Sequence, residues 1–98
     1  MHRNIDHMSS YEKLLERFLR FPTDFTWDEL NRLLNKHEYY QNNKGKTSGS
    51  RVVFEKTDSD IALDLHKPHP KNILKPYQMK DVLEFLKRIE AIKNEMNK

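Results

Sequence analysis

Histidine and arginine are the residue types in this chain whose spacing could support chemistry. His66 and His69 lie three positions apart, and Arg51 opens the alternating stretch that precedes them. A histidine can donate or accept a proton near neutral pH, whereas an arginine stays charged and can only stabilise negative charge. Together these groups suit the transesterification of a phosphodiester, in which a 2′-hydroxyl attacks the neighbouring phosphate.

The sequence lacks the residue patterns that several other kinds of catalysis require. There is no cysteine, no nucleophile motif, no phosphate-binding glycine loop and no paired-carboxylate constellation. His66 and His69 could begin a metal site, but Pro68 constrains their spacing and the nearest acid is Asp64. We therefore expect no metal and no small-molecule cofactor.

Basic residues surround the same region. The chain has a net charge of +3, and two of its loop stretches contain lysines without any acidic residue. Lysines at the ends of a sheet can hold a phosphate backbone without reading its sequence, although loop lysines are also commonly just solvated. No aromatic stacking pattern is predicted beside them, which argues against a binder that stacks single strands. The predicted RNA-binding residues are Lys44, Lys46, Ser50, Arg51, Lys56, Lys67, Lys71 and Lys75.

Two predicted strands joined by a turn position these side chains. Apolar and polar residues alternate over residues 51–55 and again over residues 61–66, with β-branched and aromatic side chains among them. A period of two is typical of strands that bury one face. The turn lies at residues 56–59, so the apolar face should meet helices and the polar face should meet solvent or a ligand.

The register of this hairpin decides which polar side chains meet. Residues opposite one another must point to the same face, and a one-residue slip would bury Arg51. The predicted pairs are Arg51 with His66, Val53 with Asp64, and Glu55 with Ala62. Arg51 and His66 should then be neighbours on the open face, with Asp64 diagonal to Arg51, as either a ligand site or a weak solvated ion pair.

Two helices are predicted before the strands. The first covers residues 9–21 and begins at a serine cap. Thr26 and Glu29 form a capping box, which opens a second helix that ends near His37. Apolar residues at three- and four-residue spacing give each helix one stripe for burial.

A first strand over residues 38–41 and a last helix over residues 76–92 complete the predicted fold. A small antiparallel sheet with helices on one face is the simplest way to bury these stripes. The prediction is an α+β fold with a three-stranded antiparallel sheet, helices on one face and the order α-α-β-β-β-α. The predicted core residues are Trp27, Leu30, Leu34, Val52, Phe54, Ile61, Leu63, Leu65, Val82, Leu86 and Ile89.

Length and composition predict a single domain over residues 1–98. With 36% hydrophobic and 34% charged residues among 98, the core should be thin and the surface heavily solvated. Residues 1–8 are expected to be mobile, and they lack the apolar centre of a signal peptide. No apolar run is long enough to cross a membrane, so we expect a cytoplasmic protein without membrane contact.

Three short stretches resemble a known family. Residues 49–54 form a glycine-led strand, residues 65–72 are rich in proline and lysine, and Leu-Lys-Pro at residues 74–76 precedes an amphipathic helix. Together they resemble the HicA family, small bacterial toxins of type II toxin–antitoxin systems that are paired with a HicB antitoxin. The resemblance covers roughly residues 25–86, and residues 26–92 are predicted to form the HicA-like core with its C-terminal helix, leaving residues 9–21 as an additional helix.

The resemblance implies a double-stranded-RNA-binding-domain-like fold, metal-independent cleavage of mRNA, and neutralisation by a HicB-like antitoxin. Family members have Gly-Ser/Thr-His at the start of the strand, and that histidine is catalytic, whereas this chain has Arg51 there. An arginine cannot act as a general base at neutral pH. Three possibilities stay open: His66 supplies the imidazole from the opposite strand, His69 supplies it from the loop, or the protein binds without cutting.

The catalytic candidates are therefore His66, His69 and Arg51. Our first hypothesis is a HicA-like toxin that acts on mRNA, either as a ribonuclease or as an RNA binder. The second is a non-catalytic RNA- or protein-binding module that has lost the catalytic histidine. The third is a small structural or interaction protein that has drifted from its family.

Overall fold

A computed structural model of the chain describes residues 8–42 and 51–92. The strands form one antiparallel sheet in the order β1-β2-β3. This architecture confirms the predicted α+β fold and the order α-α-β-β-β-α. The elements are α1 (Ser10–Leu19), α2 (Trp27–Asn35), β1 (Tyr40–Asn42), β2 (Arg51–Glu55), β3 (Leu63–His66) and α3 (Pro76–Arg88).

Side-chain caps start the first two helices where the sequence predicted them. Ser9 is the N-cap of α1, and its hydroxyl accepts a hydrogen bond from the backbone N–H of Glu12 at 3.0 Å. Thr26 caps α2: its backbone N–H donates to the Glu29 carboxylate at 2.9 Å, and its hydroxyl accepts from the Glu29 N–H at 3.1 Å. Each reciprocal pair satisfies two backbone donors that the first turn of a helix leaves unpaired.

All three helices end earlier than the sequence predicted. The left-handed residues Phe21, Glu38 and Glu90 have φ values of 51°, 67° and 61° and turn the chain away from each helix axis. The next residues after Glu38 and Glu90 are Tyr39 and Ala91. Their N–H groups donate to carbonyls of α2 and α3, respectively. This arrangement satisfies the last helical carbonyls without a glycine, so no residue type in the sequence marked these ends.

The helices pack on one face of the sheet around a continuous core. Ile61 and Ile89 are only partly buried against this core, and every other residue of the predicted set is buried. Trp27 is a core anchor, as predicted, and its ring lies 5.6 Å from the ring of Phe54. The hydrophobic core residues absent from the predicted set are Phe18, Phe25, Leu33, Tyr39, Leu74, Met79 and Phe85.

The proline-rich connection after β3 returns to the start of α2. Ile73 forms an isolated bridge with Thr26, and the N–H of Leu74 donates to the carbonyl of Phe25 at 2.9 Å. These bonds hold the connection against the second helix, so the N-terminus of α3 is fixed beside the end of β3. Within residues 8–42 and 51–92, no helix is long and apolar enough to cross a membrane.

Candidate functional site

The open face of the sheet is the surface that the helices leave uncovered. Arg51 pairs with His66, and Val53 pairs with Asp64, which confirms the predicted register for these residues. The predicted partner of Glu55, Ala62, is outside the ladder because β3 begins only at Leu63. Successive residues of a strand point to opposite faces of the sheet. The side chains of these two pairs, which are exposed or half-buried, therefore lie on the face opposite the core.

Arg51 and Asp64 form a two-point ion pair on this face. The Arg51 Nε donates to Asp64 Oδ1 at 2.9 Å, and Arg51 Nη2 donates to Asp64 Oδ2 at 2.5 Å. The hydrogen bonds from Arg51 lower the pKa of Asp64, with the charges of Arg51 and His66 acting in the same direction against partial desolvation. The same bonds raise the pKa of Arg51. Asp64 therefore offsets much of the charge that Arg51 could offer a phosphate.

His66 is held at the end of β3 by a buried glutamine. Gln78 in α3 donates from Nε2 to the carbonyl of His66 at 2.8 Å, and its Oε1 accepts from the N–H of Lys75 at 3.1 Å. Gln78 is 1% exposed. Its amide joins the end of the strand to the beginning of the helix, so the backbone of His66 has a fixed position while its imidazole stays exposed.

The sequence pattern also contained a signal for Gln78, which was not among the predicted site residues. A Glu or Gln three residues after an N-cap is the second half of a capping box, and Gln78 follows Lys75 at that spacing. The lysine at the cap position hides the pattern, because lysine is not one of the residues that usually caps a helix.

Replacing Gln78 with alanine is expected to destabilise the protein by about 1–3 kcal/mol, because the His66 carbonyl and the Lys75 N–H lose a buried partner. Urea denaturation of both proteins measures the difference. Gln41→Ala is the matched control: Gln41 also donates from its amide, to Asn31 at 2.7 Å, but it is exposed. Equal stability losses for the two variants would show that the buried bonds have no special weight.

The other predicted site residues divide between the two ends of the sheet. Lys67, Lys71 and Lys75 are exposed and lie in the connection after His66, at the same end as Arg51. Lys56 lies in the turn after β2, at the opposite end. The remaining predicted site residues, Lys44, Lys46 and Ser50, lie outside the described residues. The predicted mobility of residues 1–8 also concerns residues outside the described part of the chain, apart from Met8.

His69 is exposed in the same connection but is not joined to the paired side chains. It precedes Pro70 through a cis peptide bond. No hydrogen bond within residues 51–92 links His69 to Arg51 or His66, so the structure brings together Arg51, Asp64 and His66. In the described segments, no group of three or more His, Asp or Glu side chains is arranged to hold a metal ion.

Tyr40 is a further exposed side chain on the open face. It pairs with Glu55, which places both residues on the face that carries Arg51 and Asp64. The sequence pattern predicted no aromatic stacking there. The signal was the pair Tyr39-Tyr40: in a strand one of two adjacent tyrosines must point to the core and the other away from it.

A depression of about 470 Å³ lies at the opposite end of the molecule from Arg51, where α2 and α3 end. Burial lowers the pKa of His37 in its lining, and the charges of Lys56 and Lys36 add to this effect. Glu38, Glu90 and the carbonyl ends of two helices contribute negative charge or potential to this depression. This depression should therefore bind a phosphate more weakly than its lysines alone would predict.

The comparisons with known proteins agree with the family suggested by the sequence. No curated protein and no solved structure matches the chain. The family of HicA toxins of bacterial toxin–antitoxin systems matches residues 27–90, close to the predicted span of the resemblance and well over half of the chain. The matched region contains α2, the whole described sheet and α3, with the Arg51, Asp64 and His66 side chains inside it. The chain therefore belongs to the HicA toxin family, whose members work as the toxin of a toxin–antitoxin pair and so imply an antitoxin partner.

Proposed function

We propose that this protein is a HicA-like toxin that acts on mRNA in the cytoplasm through the open face of its sheet and is neutralised by a HicB-like antitoxin. The observation that supports this most is the cross-strand pair of Arg51 and His66, with Asp64 bound to Arg51, on an exposed surface inside the family match. The likeness to double-stranded-RNA-binding domains remains a prediction from the family.

The proposal assigns a role to each exposed group at this end of the sheet. Lys67, Lys71 and Lys75 are exposed in the connection that follows His66 and would neutralise phosphates of a bound strand. The guanidinium of Arg51 uses two of its five N–H donors on Asp64, so its other donors are available to a phosphate oxygen. An imidazole would accept the proton of the attacking 2′-hydroxyl without a metal or cofactor.

The Arg51–Asp64 pair favours a second candidate function, a non-catalytic RNA-binding module. At the family's histidine position this chain has a side chain that cannot accept a proton, and that side chain is already bound to a carboxylate. The fold and the basic surface would persist without cleavage. In this case the protein holds RNA and is still recognised by an antitoxin.

Controlled expression in a bacterium distinguishes the two candidates. Growth arrest together with rapid loss of mRNA supports the ribonuclease, and coexpression of the cognate antitoxin should restore both growth and mRNA. Growth arrest with intact mRNA, and recovery of RNA with the tagged protein, supports the non-catalytic binder. Unimpaired growth and no recovered RNA would contradict both.

RNA affinity is expected to fall steeply with salt. If Lys67, Lys71 and Lys75 each neutralise one phosphate, a fourfold rise in salt lowers the affinity by about 40-fold through counterion release. Anisotropy titrations of a structured RNA at two salt concentrations measure this.

Two single substitutions provide the matched comparison for this titration. Lys67→Ala should reduce the slope of log affinity against log salt by about one, because one phosphate contact is lost. Lys13→Ala removes an exposed lysine from α1, away from the sheet, and should leave the slope unchanged. Undetectable binding at low salt, or an affinity independent of salt, would argue against a phosphate-holding surface.

A further inference from the structure

We propose that Tyr40 is a stacking platform for an unpaired nucleobase, so that the open face takes single-stranded RNA rather than a continuous duplex. This inference rests on the proposed action on RNA and specifies its substrate class. The observation behind it is an aromatic ring on the same sheet face as Arg51 and His66, with more than half of its surface in solvent.

The sheet register fixes the side of Tyr40. Its partner is Glu55, and the next residue along β1, Gln41, pairs with the buried Phe54 and turns its amide to Asn31 of α2. Tyr40 is 54% exposed. Its neighbour Tyr39 is buried, 4.9 Å from the ring of Phe85, with its hydroxyl bound to Ser59.

The surroundings of Tyr40 suit a base better than a phosphate. A depression of about 230 Å³ opens beside the ring and is lined by Glu38, Glu55, Asp58 and Lys56, among others. Three carboxylates against one ammonium repel a phosphate group. A nucleobase is uncharged, offers a flat face to the tyrosine, and carries N–H donors on its edge that carboxylates accept.

The distance from Tyr40 to His66 can be spanned by one RNA strand, and the base that reaches Tyr40 must be unpaired. Tyr40 and His66 are separated by four residues along β2 and two strand spacings across the sheet, about 16 Å in all. A strand whose backbone lies near Arg51 and Lys67 can cover this distance and turn a base onto Tyr40. In a duplex each base is paired and stacked inside the helix, so none presents a free face to the ring.

Anisotropy titrations of the full chain with two labelled RNAs test the inference. One RNA is a single strand of about ten nucleotides, and the other is the same sequence as a blunt duplex. Tyr40→Ala is expected to weaken binding of the single strand by about tenfold, the usual effect of losing one base–aromatic stack, and to leave duplex binding unchanged. Tyr40→Phe should bind as the natural chain does, because it keeps the ring.

Phe21→Ala is the matched control, since Phe21 is also an exposed aromatic residue, at 38%, but follows α1 and belongs to no strand of the sheet. It should not change either affinity. Equal binding of the single strand by Tyr40→Ala and the natural chain would overturn the stacking inference and leave the proposed function intact. If the natural chain binds neither RNA, the proposed function fails and this inference fails with it.

Discussion

Replacing Arg51 with histidine is expected to raise RNA cleavage by about 10² or more over the natural chain, the usual contribution of a positioned acid–base group. The substitution restores the residue that the family resemblance implies at this position. The side chain there begins opposite His66 and reaches Asp64, since Arg51 Nε lies 2.9 Å from its carboxylate. An imidazole on the same backbone position has its outer nitrogen at a similar reach, where Asp64 can fix its tautomer and orientation.

Two variants separate this explanation from a simple effect of charge. Arg51→Gln removes the guanidinium without adding an imidazole, so it should not gain activity. Combining Arg51→His with Asp64→Asn should give less cleavage than Arg51→His alone, because the carboxylate partner is lost. The measurement is the rate of cleavage of a labelled RNA under single-turnover conditions. An Arg51→His protein that binds RNA but gains no cleavage would show that the remaining groups of the site are not competent.

Removing His66 is expected to abolish whatever cleavage the natural or the Arg51→His protein shows, again by about 10² or more. His66 lies directly opposite Arg51 and its backbone is held by Gln78, so its imidazole is placed at the reacting end of the face. His69→Ala is the second substitution. We expect a smaller loss from it, because no hydrogen bond in the described part of the chain joins His69 to Arg51 or His66.

His37→Gln is the control for the loss of a histidine as such. His37 lies in the turn after α2, with its Nε2 2.6 Å from the Tyr11 hydroxyl, away from the sheet face. Its replacement should leave cleavage unchanged. Robust cleavage by the double variant His66→Ala/His69→Ala would contradict this assignment, because no other histidine of the described segments lies at that end of the sheet.

The central hairpin could be predicted in detail from the sequence. Its two stretches alternate with a period of two, and a turn lies where it was predicted, with Ser59 N–H donating to the Lys56 carbonyl at 3.2 Å, although β3 begins two residues later than predicted. These two constraints leave one register that buries Phe54 and exposes Arg51. The diagonal placement of Asp64 followed from the same register, but its two-point bond to Arg51 depends on side-chain rotamers that no sequence pattern specifies.

The helix ends and part of the core could not be predicted. Glu38 and Glu90 adopt positive φ although neither is a glycine or an asparagine, so the usual signal for a helix end was missing. Phe25 lies between the two predicted helices and was not among the predicted core residues, yet it is fully buried with its ring 5.3 Å from that of Phe18. Its burial depends on the return of the proline-rich connection, a long-range contact that local periodicity does not report.

Tyr40 was missed for a related reason. A strand of three residues is too short to show its alternation, and only its pairing with β2 assigns each tyrosine to a face. Gln78 was missed because the lysine at its cap position hides the capping pattern, and because its second partner, the carbonyl of His66, is distant in the chain. In both cases a contact with a distant part of the chain, and not the residue type, gives the side chain its place at the site.

Chemical-shift mapping of an RNA titration tests most directly whether the open face is the RNA-binding surface. A single-stranded RNA added to the isotopically labelled protein at low salt should shift the backbone amides of Arg51, Asp64 and His66, together with the exposed connection that follows them. The amides of α1, on the far side of the core, should not move. Shifts confined to the helices, or no shifts at RNA concentrations that saturate the anisotropy titrations, would contradict an RNA-binding role for this face.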